Sequence, residues 1–173
     1  IDSVIKQIYP NWELCIADDA SPKTHVKNIL KEYQDKHHNI KVVFRGTNGH
    51  ISAASNSAFR LATGDYIALL DHDDIIPSHA LAQVVDAINA KPDAQIIYSD
   101  EDIIDEQGVR SNPHFKTDWN YEFLMGCNMI SHLGVYKRTA FESVNGFREG
   151  YEGAQDWDLA LRISEKISTD DIH

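Results

Sequence analysis

The chain has 173 residues, of which 42% are apolar and 25% are charged, and its formal net charge is −11. This length suits a single domain that buries a core without disulfides or a structural metal, and no apolar run approaches the roughly 20 residues needed to cross a bilayer. The negative net charge argues against a nucleic-acid-binding groove, because such grooves bind the phosphates through clustered Lys and Arg side chains.

Short apolar runs alternate with longer segments of helical spacing through the first half of the chain. The apolar runs predict strands, and the segments between them predict helices. In chain order the predicted elements are strand 12–17, a helix that ends at His37, strand 40–44, helix 52–62, strand 66–70, helix 78–90 and strand 94–98. Strands that alternate with helices in this way are typical of a parallel sheet covered by helices.

Beyond residue 98 the pattern is less regular. Asp105-Glu106-Gln107-Gly108 predicts a hairpin turn, 131–136 predicts another strand, and a helix is expected from Gln155 to about Lys166. No internal repeat or linker interrupts the sequence. Residues 1–173 are therefore expected to form one domain.

Acidic residues follow three of the predicted strands, at the end of the sheet where ligands bind in open α/β folds. The three clusters are Asp18-Asp19, Asp71-His72-Asp73-Asp74 and Ser99-Asp100-Glu101-Asp102. Like charges that face one another raise the energy of the protein unless a cation is bound between them. The pattern predicts a divalent cation site, which would also let an acidic protein bind a phosphorylated ligand.

Asp71 and Asp73 are the preferred cation ligands in this pattern. If the strand that begins at Tyr66 continues through them, both side chains project from the same face, as an oxygen-ligated cation requires. A strand-end Asp is also a common turn former or helix cap, and Asp74 fits that alternative. His72, between two acids, is more often exposed than ligating.

Several motifs occur in order along nearly the whole chain. They are Tyr9-Pro10-Asn11-Trp12-Glu13-Leu14, Asp18-Asp19 with Ser21, Asn48-Gly49 before Ser52-Ala53-Ala54-Ser55-Asn56, Ala62-Thr63-Gly64-Asp65-Tyr66-Ile67-Ala68-Leu69-Leu70-Asp71-His72-Asp73-Asp74, Gly146-Phe147-Arg148, and Gln155-Asp156-Trp157-Asp158-Leu159 with Arg162. Together they resemble glycosyltransferase family 2. The resemblance implies an α/β GT-A fold, a Rossmann-like and mostly parallel sheet flanked by helices, with a nucleotide-binding half (1–98) and an acceptor-side half (99–173).

The resemblance also implies a nucleoside-diphosphate sugar as donor, with a UDP-sugar favoured. Asp18 matches the family aspartate that binds the nucleobase, and Asp19 and Ser21 lie in the same loop. Asn48 and Asn56 match the stretch that borders the donor. Asp71 and Asp73 match the D-x-D pair, of which the second usually contacts Mn²⁺ or Mg²⁺.

Asp156 matches the family's catalytic base. In the implied mechanism the metal neutralises the leaving diphosphate, Asp156 takes the proton of the acceptor hydroxyl, and attack from the opposite face inverts the anomeric centre. An Asp at a helix start is also commonly a cap, and that alternative remains open. Trp157, beside Asp156, is a candidate platform for the sugar ring, with core packing as its alternative.

Two other features each allow two interpretations. Asp100-Glu101-Asp102 either borders the donor sugar or acceptor or forms a solvated loop. His132 precedes an apolar strand, where a His is more often structural than catalytic. Most relatives carry Arg where this chain has Ser55, so one phosphate contact of the family is not expected here.

The resemblance further implies that the chain is truncated at both ends. The family's first strand is expected before Ile1, and a further part of the domain is expected after His173. A glycan or lipid-linked glycan is the implied acceptor, in the synthesis of a cell-surface polysaccharide. Cys15 and Cys127 lack a C-x-x-C partner, which suits a reducing compartment. The resemblance, with a cell-surface polysaccharide as product, also implies a cytoplasmic protein that associates peripherally with the inner membrane face through regions outside this chain.

Two other classes of protein share part of the pattern. A receiver-like signalling domain also places acids after parallel strands, but it predicts Lys after its last strand, where Tyr98 leads into Ser-Asp-Glu-Asp. A nucleotidyltransferase that makes nucleotide sugars would carry a Gly-rich loop with a basic residue near its N-terminus, which this chain does not show. Both remain alternatives at the level of the sequence.

Overall fold

The computed structural model describes all residues from Ile1 to His173. Its helices are α1 Asp2–Ile5, α2 Thr24–Lys36, α3 His50–Phe59, α4 Ala80–Ala90, α5 Tyr121–Gly126, α6 Arg138–Ser143 and α7 Gln155–Ser164. Its strands are β1 Leu14–Asp18, β2 Ile40–Phe44, β3 Tyr66–Ala68, β4 Ile96–Tyr98, β5 Glu101–Ile104, β6 Arg110–His114 and β7 Gly134–Lys137. None of the helices combines the length and apolar character needed to cross a membrane.

The strands form three small sheets. β1 and β2 pair in parallel, with Leu14 opposite Ile40. β7 lies between β3 and β4 and is antiparallel to both, and β5 and β6 form the antiparallel hairpin predicted from its turn. The α/β class is confirmed, whereas the expected parallel pairing is limited to β1 and β2. The residue pattern of a strand indicates its burial but not its direction in the sheet. The antiparallel position of β7 between β3 and β4 was therefore not predictable.

The main hydrophobic core lies around β7, α6 and α7. Its fully buried members include Tyr136, Phe141 and Leu159, which are at most 1% exposed. Burial of a large apolar side chain contributes about 1.5 to 3 kcal/mol each, so this core holds α7 firmly against the central sheet. A smaller cluster on the other side of the sheet contains Ile97 and Val135.

Several predicted boundaries differ from those observed. β3 ends at Ala68, two residues before the predicted end, although the N–H of Leu69 still bonds to the carbonyl of Gly134 at 3.0 Å. The short helices α1, α5 and α6 have four to six residues, too few for a periodic pattern to reveal them. Both cysteines are free thiols and half-buried, and burial raises the pKa of Cys15 to about 11.

Candidate functional site

The loop after β3 carries the predicted cation ligands. The chain turns directly after the strand, and the N–H of Asp74 bonds to the carbonyl of Asp71 at 3.3 Å. Asp71 and Asp73 therefore do not share a strand face, which corrects the geometric argument for pairing them. The side chain of Asp73 is 76% exposed and lies 3.7 Å from the imidazole of His72, which is itself exposed as expected.

Asp71 is instead brought together with Asp74 and His132. One potential ligand atom from each of these three residues lies within 4.8 Å of the others. His132 Nδ1 is 3.3 Å from Asp74 Oδ2, and His132 Nε2 is 4.0 Å from Asp71 Oδ2. Two carboxylates and an imidazole suit a divalent cation such as Mn²⁺ or Zn²⁺, and the carboxylates also suit Mg²⁺.

The sequence favoured a structural role for His132 and left a capping role open for Asp74. The structure places both side chains in the cluster because β7 pairs with β3, which brings residue 132 beside the loop that follows β3. This pairing joins residues about seventy positions apart in the sequence, so no local sequence pattern predicts it. The ligand role of Asp73 remains a prediction from the resemblance.

The electrostatics of Asp71 connect the cluster to Asp156. Burial raises the pKa of Asp71 above its ordinary value; His132 opposes this shift, and the carboxylates of Asp74, Asp73 and Asp156 add to it. The carboxylate of Asp156 therefore lies near enough to Asp71 for the two charges to interact across the space between them. A divalent cation in that space would relieve the repulsion among these carboxylates.

Asp156 is the second residue of α7. The N-cap of this helix is Ala154, and no side chain caps it, so the capping alternative for Asp156 is not realised. Asn128 Nδ2 donates a hydrogen bond to Asp156 Oδ2 at 2.7 Å. The carboxylate is half-buried in the first turn, where the helix dipole favours a negative charge.

Asp18 ends β1 and is only 4% exposed. Its Oδ1 accepts a hydrogen bond from the N–H of Ser21 at 3.3 Å, whereas its buried Oδ2 has no partner. A buried acceptor without a partner costs about 1 to 3 kcal/mol. Asp18 is therefore well suited to receive a hydrogen bond from a ligand, as the resemblance implies for the nucleobase.

Asp19 and Asn48 form hydrogen bonds between the loop after β1 and the segment after β2. Asp19 Oδ1 lies 2.6 Å from Arg45 Nε, and both carboxylate oxygens accept from the N–H of Gly49. Burial alone would raise the pKa of Asp19, but the bonds from Gly49 and Arg45 outweigh it and lower the pKa. Asn48 Nδ2 donates to the carbonyl of Asp19 at 3.2 Å. These contacts shape the loop, and a direct donor contact by either residue remains a prediction.

Asn56 and Trp157 have side-chain polar groups that already bind protein backbone. The amide of Asn56 donates to the carbonyl of Phe147 at 2.8 Å and accepts from its N–H at 3.0 Å. Trp157 Nε1 donates to the carbonyl of Leu124 at 2.6 Å, and its ring packs on the main core. Core packing, the alternative interpretation of Trp157, is what the structure shows, and Asn56 clamps the segment before Arg148.

Comparison with known proteins gives a consistent set of matches. A sequence model of the family described as Glycosyl transferase family 2 matches residues 1–144. The O-antigen biosynthesis protein RfbC of Myxococcus xanthus is 39% identical over 167 residues, which cover 96% of this chain and 13% of that protein. The chain thus spans much less than two thirds of this relative.

Two solved structures share the fold at low sequence identity. S. aureus TarS in complex with UDP superposes with a TM-score of 0.76 at 21% identity, over 94% of this chain and 49% of that one. The mannosyltransferase PcManGT from Pyrobaculum calidifontis, in complex with GDP-Man and Mn²⁺, gives 0.69 at 21% identity, over 99% of this chain and 50% of that one. These matches confirm the expected GT-A fold.

Proposed function

The chain belongs to glycosyltransferase family 2, and from this premise we propose that it transfers a sugar from a nucleoside-diphosphate sugar to a glycan hydroxyl with inversion at the anomeric carbon. The observation that carries the proposal is the convergence of Asp71, Asp74 and His132, with Asp156 near enough to raise the pKa of Asp71. Family membership leaves no basis for the receiver-like or nucleotidyltransferase alternatives.

The cation site of the proposed enzyme consists of Asp71, Asp74 and His132, with Asp73 as the exposed member that the resemblance adds. A divalent cation bound there would stabilise the negative charge that develops on the leaving diphosphate. Two carboxylates and an imidazole are suitable ligands for Mn²⁺, and the Mn²⁺ complex of PcManGT supports this choice of cation. The negative charge of the loop itself repels a diphosphate, so donor binding is expected to require the cation.

Asp156 is the proposed general base. Its carboxylate takes the proton of the acceptor hydroxyl while the hydroxyl oxygen forms the new bond to the anomeric carbon. The bond from that carbon to the phosphate oxygen breaks on the opposite face, which gives inversion without a covalent intermediate. Asn128 donates to Oδ2 of Asp156, so Oδ1 is the oxygen placed to accept the proton.

The donor is proposed to be a UDP-sugar. The Oδ2 atom of Asp18 has no partner in the protein and would accept a hydrogen bond from a ligand, and uracil offers an imide N–H as donor. Guanine and thymine also carry an N–H that meets this requirement, so the preference for uracil is supported mainly by the UDP complex of the structural neighbour. The relative RfbC, named as an O-antigen biosynthesis protein, supports a polysaccharide as acceptor. A lipid-linked glycan as acceptor and a location at the cytoplasmic face of the membrane are further parts of this proposal.

The first test is calorimetric titration of the full chain with UDP, GDP and dTDP, each with and without Mn²⁺. We expect UDP to bind in the presence of Mn²⁺ and this binding to be lost in Asp71→Asn, which keeps the side-chain shape but removes the charge. Asp86→Asn is the matched control, because Asp86 is exposed on α4 and distant in sequence from every site loop. Absence of nucleotide binding by the wild type at any cation concentration would refute the proposal.

A second measurement separates binding from chemistry. Asp156→Asn is expected to bind UDP and Mn²⁺ as the wild type does but to lose sugar transfer by about 10² to 10⁴-fold, since general-base catalysis contributes a factor of this size. NMR of the product reports the anomeric configuration. Retention of configuration, or full activity in Asp156→Asn, would contradict the role given to Asp156.

A further inference from the structure

Residues 128–133, named here the bridging segment, connect the two sides of the candidate site. At one end Asn128 donates to Asp156, and four residues later His132 contacts Asp74. A carboxylate only accepts hydrogen bonds, so the NH₂ group of Asn128 must face Asp156. Its carbonyl then accepts from the N–H of Ser131 at 3.3 Å. The orientation of the amide is thus fixed by the carboxylate and by the segment's own backbone.

A buried lysine and a partly exposed glutamate hold the backbone of the bridging segment. The side chain of Lys116 is 2% exposed, and its amine donates to the carbonyls of Ile130 and His132, the latter at 2.6 Å. Glu101 Oε2 lies 3.4 Å from that amine and accepts from the N–H of His132 at 2.8 Å. Both the donor and the acceptor of the His132 backbone are therefore held by charged side chains.

Further contacts hold the segment at its end and on its buried side. Ser99 Oγ accepts from the N–H of Leu133 at 3.2 Å, and Asp100 accepts from the N–H of Lys116 at 2.8 Å. Met129 and Ile130 are at most 2% exposed. The Ser99-Asp100-Glu101 run, which the proposed mechanism does not use, thus acts as the support of the bridging segment.

A structural role in stability alone would not require this pair. Burial lowers the pKa of Lys116 and the charge of Glu101 opposes that effect, so the ammonium has an energetic cost in this position. Apolar side chains of similar volume often serve stability equally well or better. Charged donors and acceptors do, however, fix backbone groups in one geometry, and bonds to charged groups are shorter and stronger than neutral ones.

We propose that the bridging segment sets the position of Asp156 relative to the cation cluster, with Asn128, Glu101 and Lys116 as positioning residues. The inference rests on the proposed function, because it assigns roles around the same base and cation site. Asn128 orients the carboxylate of Asp156 toward the acceptor hydroxyl. Glu101 and Lys116 keep His132 against Asp74 while Asn128 stays on Asp156.

Four variants of the full chain test this proposal. Asn128→Ala removes the donor to Asp156, and Glu101→Ala removes the acceptor for His132. Glu101→Gln is the conservative variant, because its amide oxygen still accepts from the His132 N–H. Glu106→Ala, in the exposed turn between β5 and β6, is the matched control.

The steady-state readout separates positioning from folding. Misplacement of a reacting group by about 1 Å can cost roughly 10²-fold in rate, so Asn128→Ala and Glu101→Ala are expected to lower kcat by that order. In Asn128→Ala the KM for the donor and the affinity for UDP with Mn²⁺ are expected to stay within about threefold of wild type, because Asn128 holds the proposed base and not the cation. In Glu101→Ala the affinity for UDP with Mn²⁺ is expected to fall as well, because Glu101 holds the backbone of His132, a proposed cation ligand. Glu101→Gln and Glu106→Ala are expected to retain most of kcat.

Hydrogen exchange provides a readout that does not depend on activity. In Glu101→Ala the amide protons of Ser131 and His132 are expected to lose protection while those of β4 keep theirs. Unchanged exchange at these amides would overturn the proposal even if the wild type transferred no sugar. Wild-type kcat in both alanine variants, or a loss of UDP affinity in Asn128→Ala as large as its loss of kcat, would also overturn it. A wild type that protects these amides but transfers no sugar would refute the proposed function alone.

Discussion

Glu13 is a single side chain that joins the start of β1 to the segment after α3. Its carboxylate accepts from the backbone N–H groups of Thr63 and Gly64 and forms an ion pair with Lys41. Burial alone would raise the pKa of Glu13, but the bonds from Lys41, Thr63 and Gly64 outweigh it and lower the pKa to about 2. Two motifs that lie fifty residues apart are thereby linked in front of β3, whose end carries the cation loop.

Glu13→Gln is expected to lower the free energy of unfolding near neutral pH by roughly 3 kcal/mol, which corresponds to the fall of the pKa from its ordinary value of 4.5 to about 2. Because the folded-state pKa is depressed, this stability is present above about pH 4.5 and is lost as the pH falls toward 2. Urea unfolding at pH 7 and pH 3 measures the effect. A wild-type advantage over the variant that is equally large at pH 3 would contradict this account, and Glu106→Gln serves as the exposed control.

The sequence identified the acidic members of the site better than the others. Asp18 ends β1, Asp71 lies in the loop after β3 and Asp156 lies in the first turn of α7. Carboxylates near the ends of elements are conspicuous in an otherwise apolar pattern. His132 and Asn128 were not identified, because their places depend on β7 lying between β3 and β4. Asparagine is a residue type that often contacts ligands. Only the folded structure shows that the amide of Asn56 bonds instead to the backbone of Phe147.

At the scale of elements, α7 is held in place by an ionic network on the side away from Asp156. Asp158, 7% exposed, pairs with Arg148 and with Arg162, whose Nε lies 2.8 Å from Oδ2. Arg162 also donates to the carbonyls of Val144 and Gly146. The network ties the loop after α6 to the first turn of α7, and so fixes the helix that presents the candidate base.

Asp158→Ala is expected to reduce the free energy of unfolding by about 3 kcal/mol, the lower part of the range for breaking a buried ion pair, because Arg148 is half exposed and is partly resolvated. Arg162 is only 16% exposed and would keep an uncompensated charge. Urea unfolding at neutral pH provides the measurement, with Glu149→Ala as the exposed control. A loss no larger than that of the control would show that the network does not hold α7.

Elements with a clear hydrophobic period or a turn signal were predicted, and the short helices were not. α2 to α4, α7 and the first four strands appear in the predicted order, with ends shifted by a few residues. α5 and α6 have six residues each and bury only one face of a turn or two, so they leave no periodic signal. The pairing of β7 with β3 and β4 is a long-range contact that burial of the core stabilises. Val135 and Tyr136 of β7 are at most 2% exposed.

At the scale of the whole molecule, the site is assembled from both halves of the chain. Asp18 and Asp71 come from residues 1–98, whereas His132 and Asp156 come from residues 99–173. β7 from the second half completes the sheet of β3 and β4 from the first. The predicted division into donor and acceptor halves remains a prediction, but neither half alone contains both the cation cluster and the base.

This assembly makes the site a source of instability that ligands should relieve. The carboxylates of Asp74, Asp73 and Asp156 repel that of Asp71, and a cation that binds only the folded state stabilises that state. At a ligand concentration of 100 times Kd the gain is about 2.7 kcal/mol, which for a chain of this size corresponds to roughly 5 to 10 °C in Tm. Mn²⁺ with UDP is therefore expected to raise Tm more than UDP alone.

Asp71→Asn distinguishes this explanation from a purely structural one. The variant is expected to lose the Mn²⁺-dependent rise in Tm, yet to melt without ligand at or above the wild-type temperature, because one of the mutually repelling charges is gone. Differential scanning calorimetry with and without Mn²⁺ and UDP measures both effects, with Asp86→Asn as the control for loss of a surface charge. A ligand-free Tm clearly below that of the control would mean that Asp71 supports the fold directly. In that case the acidic cluster would be a structural loop, and the cation would have to bind elsewhere.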